Sequence, residues 1–294
     1  MENNIGLILS KRAQLSGSTE AYVDSKSGLR LTFRELDSRC NQVANMLVSK
    51  GVAKGDRVAI MMMNSAEFFE VYFAIAKIGG VVVPLNWRLV ADELEFIIKD
   101  SGSRVLLFGD EFVDLAADLH GRGDKTDIEC WLHSDGMDGG TSGFSDKYES
   151  LRQASSTVEP EITAVDDDLL YIMYTSGTTG LPKGVVHTHS TTIWALITFM
   201  ATADVHAGDK YLAALPMFHV GSLTPITLNV YNGTTSVVMR EFDPVRAWEL
   251  FEEEGITTAL LVPAMLNFMI QVEGREKYDY SSLRWIQSGA SPLP

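Results

Sequence analysis

The stretch RVAIMMMNSAEFFEVYFAIAKIGGVVVP, residues 57–84, decides the fold class. After Arg57 an apolar run of strand length extends to Met62, and Asn64 or Ser65 is placed to cap a helical stretch from Ala66 to Ile78. Gly79 and Gly80 end that helix, and Val81 to Pro84 is again an apolar strand. Strands that are apolar on both faces and separated by a helix belong to a parallel sheet covered on both sides. Met61, Met62 and Met63 suit a buried strand and need no functional role.

The same alternation continues outward. Thr32 to Lys50 reads as an amphipathic helix: Thr32 and Glu35 have capping-box spacing, Phe33, Leu36, Cys40, Val43, Ala44 and Leu47 form one stripe, and Gly51 stops it. Beyond residue 84 come a helix at 92–99, a strand at 104–108 and a helix near 111–119. Between His120 and Asp168 the character changes, with glycine, serine and acidic residues crowding 136–145 and 155–168, and this span is the best linker candidate. Apolar strands resume at 169–174, 211–215, 236–239, 258–262 and 283–286. A helix at 244–254 is marked by Asp243 as cap, Pro244 at its first position and Gly255 past its end. The expectation is an α/β protein of two stacked subdomains with largely parallel sheets covered by helices. The first spans residues 1–165, with a loop-rich connection near 120–165, and the second spans 166–294.

With 294 residues, 46% of them hydrophobic, the chain can bury a sizeable core. Its formal charge of −15 opposes non-specific attraction to nucleic acid or anionic lipid, so an anionic substrate needs locally placed cations or backbone N–H groups. No apolar run reaches the roughly 18 residues of a transmembrane helix, and residues 1–17 lack a secretory pattern. A cytoplasmic protein is therefore expected, with peripheral membrane contact left open. Cys40 and Cys130 suggest neither a disulfide framework nor a metal cluster.

The strand at 169–174 runs into Thr175-Ser176-Gly177-Thr178-Thr179-Gly180-Leu181-Pro182-Lys183-Gly184, which holds three glycines, four hydroxyls and one lysine. Glycines let N–H groups converge, hydroxyls donate to phosphate oxygens and a lysine adds a point charge, the groups a polyphosphate needs. The spacing excludes a P-loop, because Pro182 stands where glycine should precede the lysine and no Ser or Thr follows Lys183. This count against an ordinary P-loop phosphohydrolase leaves an unrelated phosphate-binding loop or a flexible turn.

The segment from Tyr174 to Gly184 resembles the signature loop of the adenylate-forming superfamily, which includes acyl-CoA synthetases, peptide-synthetase adenylation domains and luciferases. Residues 31–36, 76–86, 215–221 and 288–293 resemble further motifs of that family in the same order. Residues 86–89, 187–189 and 262–269 look most like medium- to long-chain fatty acyl-CoA synthetases. The fold implied is that of their large amino-terminal domain, incomplete at its carboxy end. The activity implied is fatty acid activation through acyl-AMP and transfer to CoA, with ATP, Mg2+ and CoA as ligands of the complete enzyme. An amino-acid or aryl-acid adenylation domain, or a non-catalytic nucleotide- or acyl-binding protein, is the alternative.

Carried over by resemblance, Thr175, Ser176, Gly177, Thr178, Thr179, Gly180 and Lys183 would hold ATP phosphates and departing pyrophosphate. His219 would sit where acyl, adenylate and pantetheine paths meet. Val220, Gly221, Val262, Ala264, Gly289 and Ala290 would line the acyl and adenylate pocket, although each is equally ordinary as core packing. His187 and His189, read as alternating on one strand face, have metal-compatible spacing but lack a third ligand, so a structural role is expected and no metal residue is assigned. Asp166 to Asp168 reads as a solvated turn. The family's later segments, a Tyr-Gly-x-Thr-Glu motif, a ribose-binding aspartate and a catalytic lysine, do not occur in the sequence. The 294 residues alone are therefore expected to bind without full turnover.

Overall fold

The computed structural model describes residues 4–134, 142–175 and 180–289. In chain order its regular elements begin with α1 (Ile5–Ser16), β1 (Glu20–Asp24), β2 (Arg30–Thr32), α2 (Phe33–Ser49), β3 (Arg57–Met61), α3 (Ala66–Lys77) and β4 (Val81–Pro84). There follow α4 (Ala91–Ser101), β5 (Ser103–Gly109), α5 (Val113–Gly121), β6 (Cys130–Ser134), β7 (Asp146–Lys147), α6 (Tyr148–Ala154), β8 (Leu169–Thr175), β9 (Lys183–Thr188) and α7 (His189–Thr202). The last are β10 (Lys210–Ala213), α8 (Val220–Asn232), β11 (Thr235–Val238), α9 (Pro244–Glu253), β12 (Thr258–Leu261), α10 (Pro263–Ile270) and β13 (Trp285–Ser288).

The described residues form two largely parallel sheets within an α/β architecture, as the patterning implies. One sheet has the order β7-β6-β5-β3-β4-β8-β9. All its neighbours are parallel except β8 and β9, which pair antiparallel. Central β3 is apolar on both faces because helices cover both. Its Ala59 and Met61 join Val83, Leu94, Ile97, Leu106 and Phe108 in one core. Gly79 ends α3 at φ 71°, a left-handed conformation that costs glycine little. The other sheet has the order β13-β12-β10-β11-β1-β2, parallel except for β2 against β1. Leu212, Val237, Leu250, Phe251, Ala259 and Leu261 build its core.

The cap signals hold. Glu35 accepts from the Thr32 N–H at 2.8 Å while Thr32 Oγ1 accepts from the Glu35 N–H at 3.3 Å. Asp243 accepts from the Arg246 N–H at 2.8 Å at the start of α9. Asn64 is not a cap. Its side chain bonds instead to the backbone of residues 215, 217 and 239.

The division of the chain differs from the expected cut at residue 165. One compact unit comprises Met1–Ser10, Asp37–Met63 and Glu67–Ala195; the other comprises Lys11–Leu36, Asn64–Ala66 and Leu196–Pro294. Strand β8 pairs with β4 at Val82 and Tyr171, which places the candidate phosphate hairpin in the first unit, not the second. The apolar run of β8 carries no mark of its partner, and β1 and β2, unread in the sequence, join the second sheet through β11.

The expected linker is also more structured than its composition suggests. Its described part contains β6, β7 and α6, while residues 135–141 lie outside the described residues. Residues 155–158 lie along α2, whose Gln42, Asn41 and Asn45 amides donate to the carbonyls of Ser155, Thr157, Ser156 and Val158. Further on, Asn4 donates to Ala164 O at 2.8 Å. Polar sequence here supplies backbone carbonyls to side-chain amides instead of forming a free connection.

Candidate functional site

In the first unit the chemistry-bearing sequence sits at the mouth of the β8–β9 hairpin. The register pairs Thr175 with Lys183 and Tyr174 with Gly184. Residues directly opposite on antiparallel strands project to the same face. Lys183 therefore shares a face with Thr175 where the hairpin opens, and both are exposed. Ser176, Gly177, Thr178 and Thr179 lie outside the described residues; Gly180 is described and exposed.

Two contacts hold this mouth. The Tyr174 hydroxyl donates to Asp100 Oδ2 at 2.6 Å. Burial first, and then the Asp100 carboxylate, raise the Tyr174 pKa, so the phenol stays protonated and keeps donating. Across the pair, a methyl group at Gly184 would lie 2.8 Å from Ile172 Cγ2 and 3.1 Å from Tyr174 Cζ, so any larger residue there would have to displace those side chains. The sequence marks Tyr174 as part of the loop but gives no sign of Asp100, 74 positions upstream.

His187 and His189 pack against neighbours within this unit. His187 on β9 stacks on Tyr171 with ring centroids 4.3 Å apart, and burial lowers its pKa. His189 is not on the strand, as the alternation suggested, but is the first residue of α7, fully buried. Its Nδ1 accepts from the Ile5 N–H at 3.0 Å, and burial pushes its pKa down to about 4. The ring is thus neutral, with its proton on Nε2. In the acidic turn Asp168 accepts from the Val165 N–H at 2.8 Å and pairs with Lys54 at 2.7 Å; Lys54 holds its carboxyl below the usual range.

In the second unit the other candidates converge by topology. Strands β13, β12 and β10 are parallel neighbours. Gly289 follows β13, Val262 follows β12, and the segment 214–219 follows β10. These residues line the carboxyl edge of one sheet, where open α/β sheets bind ligands. His219 is exposed and is the N-cap residue of α8, which begins with Val220 and Gly221. Its ring lies 4.5 Å from that of buried Phe218. Val262 caps α10, Ala264 is exposed on its first turn, and Ala290 lies outside the described residues.

Residues 9–294 match the family described as AMP-binding enzyme. The chain belongs to the AMP-binding enzyme family. Among curated relatives it is 39% identical over 292 residues to the long-chain-fatty-acid–CoA ligase FadD13 of Mycobacterium tuberculosis, covering 99% of this chain and 56% of that protein. It is 35% identical over 272 residues to the fatty acid–[acyl-carrier-protein] ligase ScoC of Streptomyces coeruleorubidus, covering 90% of this chain and 50% of that protein. The chain thus spans about half the length of these relatives. Among solved structures, the inhibitor-bound N-terminal domain of FACL13 from Mycobacterium tuberculosis superposes with a TM-score of 0.93 at 37% identity, covering 99% of this chain and 71% of that one. Membership explains why hairpin and strand-end motifs occur together in one sequence. No helix among the described residues is long and apolar enough to cross a membrane.

Proposed function

We propose that this chain supplies the phosphate-holding and acyl-holding parts of an AMP-forming fatty acid–CoA ligase. The observation that carries the reading is the β8–β9 hairpin, whose register sets Lys183 beside Thr175 at the mouth of the Ser-Gly-Thr-Thr-Gly sequence. Family membership and the fatty-acid substrates in the names of FadD13 and ScoC support it.

In the complete reaction a fatty carboxylate attacks the α-phosphorus of ATP, giving acyl-AMP and pyrophosphate, and the CoA thiol then displaces AMP. Within this chain, Thr175, Ser176, Gly177, Thr178, Thr179 and Gly180 donate to the β- and γ-phosphate oxygens through hydroxyls and N–H groups. Lys183 adds the charge that steadies departing pyrophosphate. His219, with Val220, Gly221, Val262, Ala264, Gly289 and Ala290, serves the acyl and adenylate groups. The described residues contain no cluster of three His, Cys, Asp or Glu fit for a metal. Mg2+ enters this reading as the ion that accompanies ATP.

The test is calorimetric titration of the purified chain with MgATP. Lys183→Ala should weaken binding by roughly one to two powers of ten, the worth of a charge-assisted hydrogen bond of about 1.5–3 kcal/mol. Thermal stability should stay unchanged, because Lys183 is exposed. Wild-type protein that binds no ATP, or a variant that binds it equally well, overturns the reading.

A further inference from the structure

We propose that Asn64 is a positioning residue for His219, acting through the backbone of residues 215–217. Strands β10 and β11 pair from Lys210 and Thr235 to Ala213 and Val238. Beyond that ladder the Met239 N–H still reaches Ala213 O at 3.1 Å, and then the two chains part. Leu215 is buried there and Met239 almost completely so, and backbone polar groups at such places need partners.

One primary amide supplies them. Asn64 Nδ2 donates to Leu215 O at 2.9 Å and to Met239 O at 3.0 Å, while Oδ1 accepts from the Met217 N–H at 2.8 Å. The side chain is 4% exposed, so water does not compete for these bonds. Two donors and an acceptor in one short planar group occur only in the side-chain amides of Asn and Gln. Asn64 belongs to the short stretch Asn64–Ala66 that is part of the second unit, although the residues on either side of it belong to the first.

The consequence reaches His219 in two steps. Its N–H donates to Pro216 O at 3.1 Å, closing a turn in which Asn64 holds Met217, and Asn64 also holds Leu215 just before that turn. Its own carbonyl accepts from the N–H groups of Ser222 and Leu223 at 3.0 and 2.9 Å, joining it to α8. Phe218, 2% exposed, fixes the residue between. The His219 backbone is therefore held from both sides, and removal of the Asn64 amide releases one of them. The catalytic meaning of this rests on the proposed role of His219 in acyl and adenylate binding.

The test uses the 294-residue chain labelled for NMR. In Asn64→Ala the Met217 amide should exchange about tenfold or more faster, and the His219 ring signals should shift or broaden. Asn64→Asp keeps the shape and the acceptor but removes the donors, so it should move the same signals even if the alanine variant fails to fold. Leu250→Ala, a cavity variant in the core of the same unit, should lower stability without moving the His219 signals. A non-reactive fatty acyl-adenylate analogue should bind Asn64→Ala about tenfold more weakly, with MgATP affinity unaltered. Met217 and His219 signals that stay at wild-type positions in the Asn64 variants, or move as far in Leu250→Ala, overturn the inference. Failure of wild-type protein to bind the analogue instead overturns the functional reading, and leaves the NMR result to decide the positioning role.

Discussion

Replacing Lys77 with Met should cost about 2–4 kcal/mol of stability, because this lysine is a buried cation with two carboxylates around it. Its side chain is fully buried at the end of α3. Nζ lies 2.7 Å from Asp37 Oδ1, 3.1 Å from Glu159 Oε1 and 2.5 Å from Ser10 Oγ, so one ammonium ties together α1, α2, α3 and the strap after α6. Burial works against the Glu159 carboxylate, but the Ser10 hydroxyl and the Lys77 ammonium outweigh it and hold its pKa below the usual range. Methionine fills nearly the same volume, so little cavity opens, and the loss is electrostatic. Breaking one side of a buried pair costs about 3–5 kcal/mol. Here Asp37 and Glu159 remain 18% and 38% exposed and keep some hydration, which lowers the figure. The assay is urea unfolding of Lys77→Met beside the triple variant Lys77→Met, Asp37→Asn, Glu159→Gln. Because the triple variant leaves no uncompensated charge, it should recover at least half of the loss. A single variant within about 1 kcal/mol of wild type, or a triple variant no better than the single, refutes the electrostatic account.

Gly6→Ala should be at least as damaging, by about 3 kcal/mol or more in the same urea assay, because the added methyl would lie 2.5 Å from both Cα and N of Lys77, backbone atoms that cannot turn aside. Stability should also fall as pH drops from 6.5 toward 4. The His189 pKa goes from 6.5 unfolded to about 4 folded, so the unfolded state takes up the proton first, and the loss at pH 4.5 is about 2–3 kcal/mol. Burial pushes the Glu70 carboxyl up to about 7 and acts oppositely in the same window, so the measurement is the difference between wild type and His189→Asn. Equal pH slopes for the two would show that His189 does not resist protonation.

The local patterning of this sequence determined those helices and strands whose apolar runs and end signals are contiguous. In residues 57–84 apolar runs can be buried only as strands covered on both faces, and the glycines at 79 and 80 leave the helix no way to continue. The Thr32–Glu35 and Asp243–Pro244 caps were legible because a helix end is satisfied by groups within three residues of it. The Tyr174–Gly184 loop was legible as a candidate anion site for a similar reason, since its glycines, hydroxyls and lysine are contiguous. Partner choice was not legible. Nothing in Leu169–Thr175 says that β8 lies beside β4, because an apolar strand fits many neighbours and its backbone bonds carry no sequence. Nor does residue 64 announce that it completes a turn at 215–217, or residue 100 that it holds the Tyr174 hydroxyl. A polar side chain shows in sequence only that it needs a partner. Which partner it meets, more than seventy residues away, is decided when the sheets close and exclude the water that would otherwise have served.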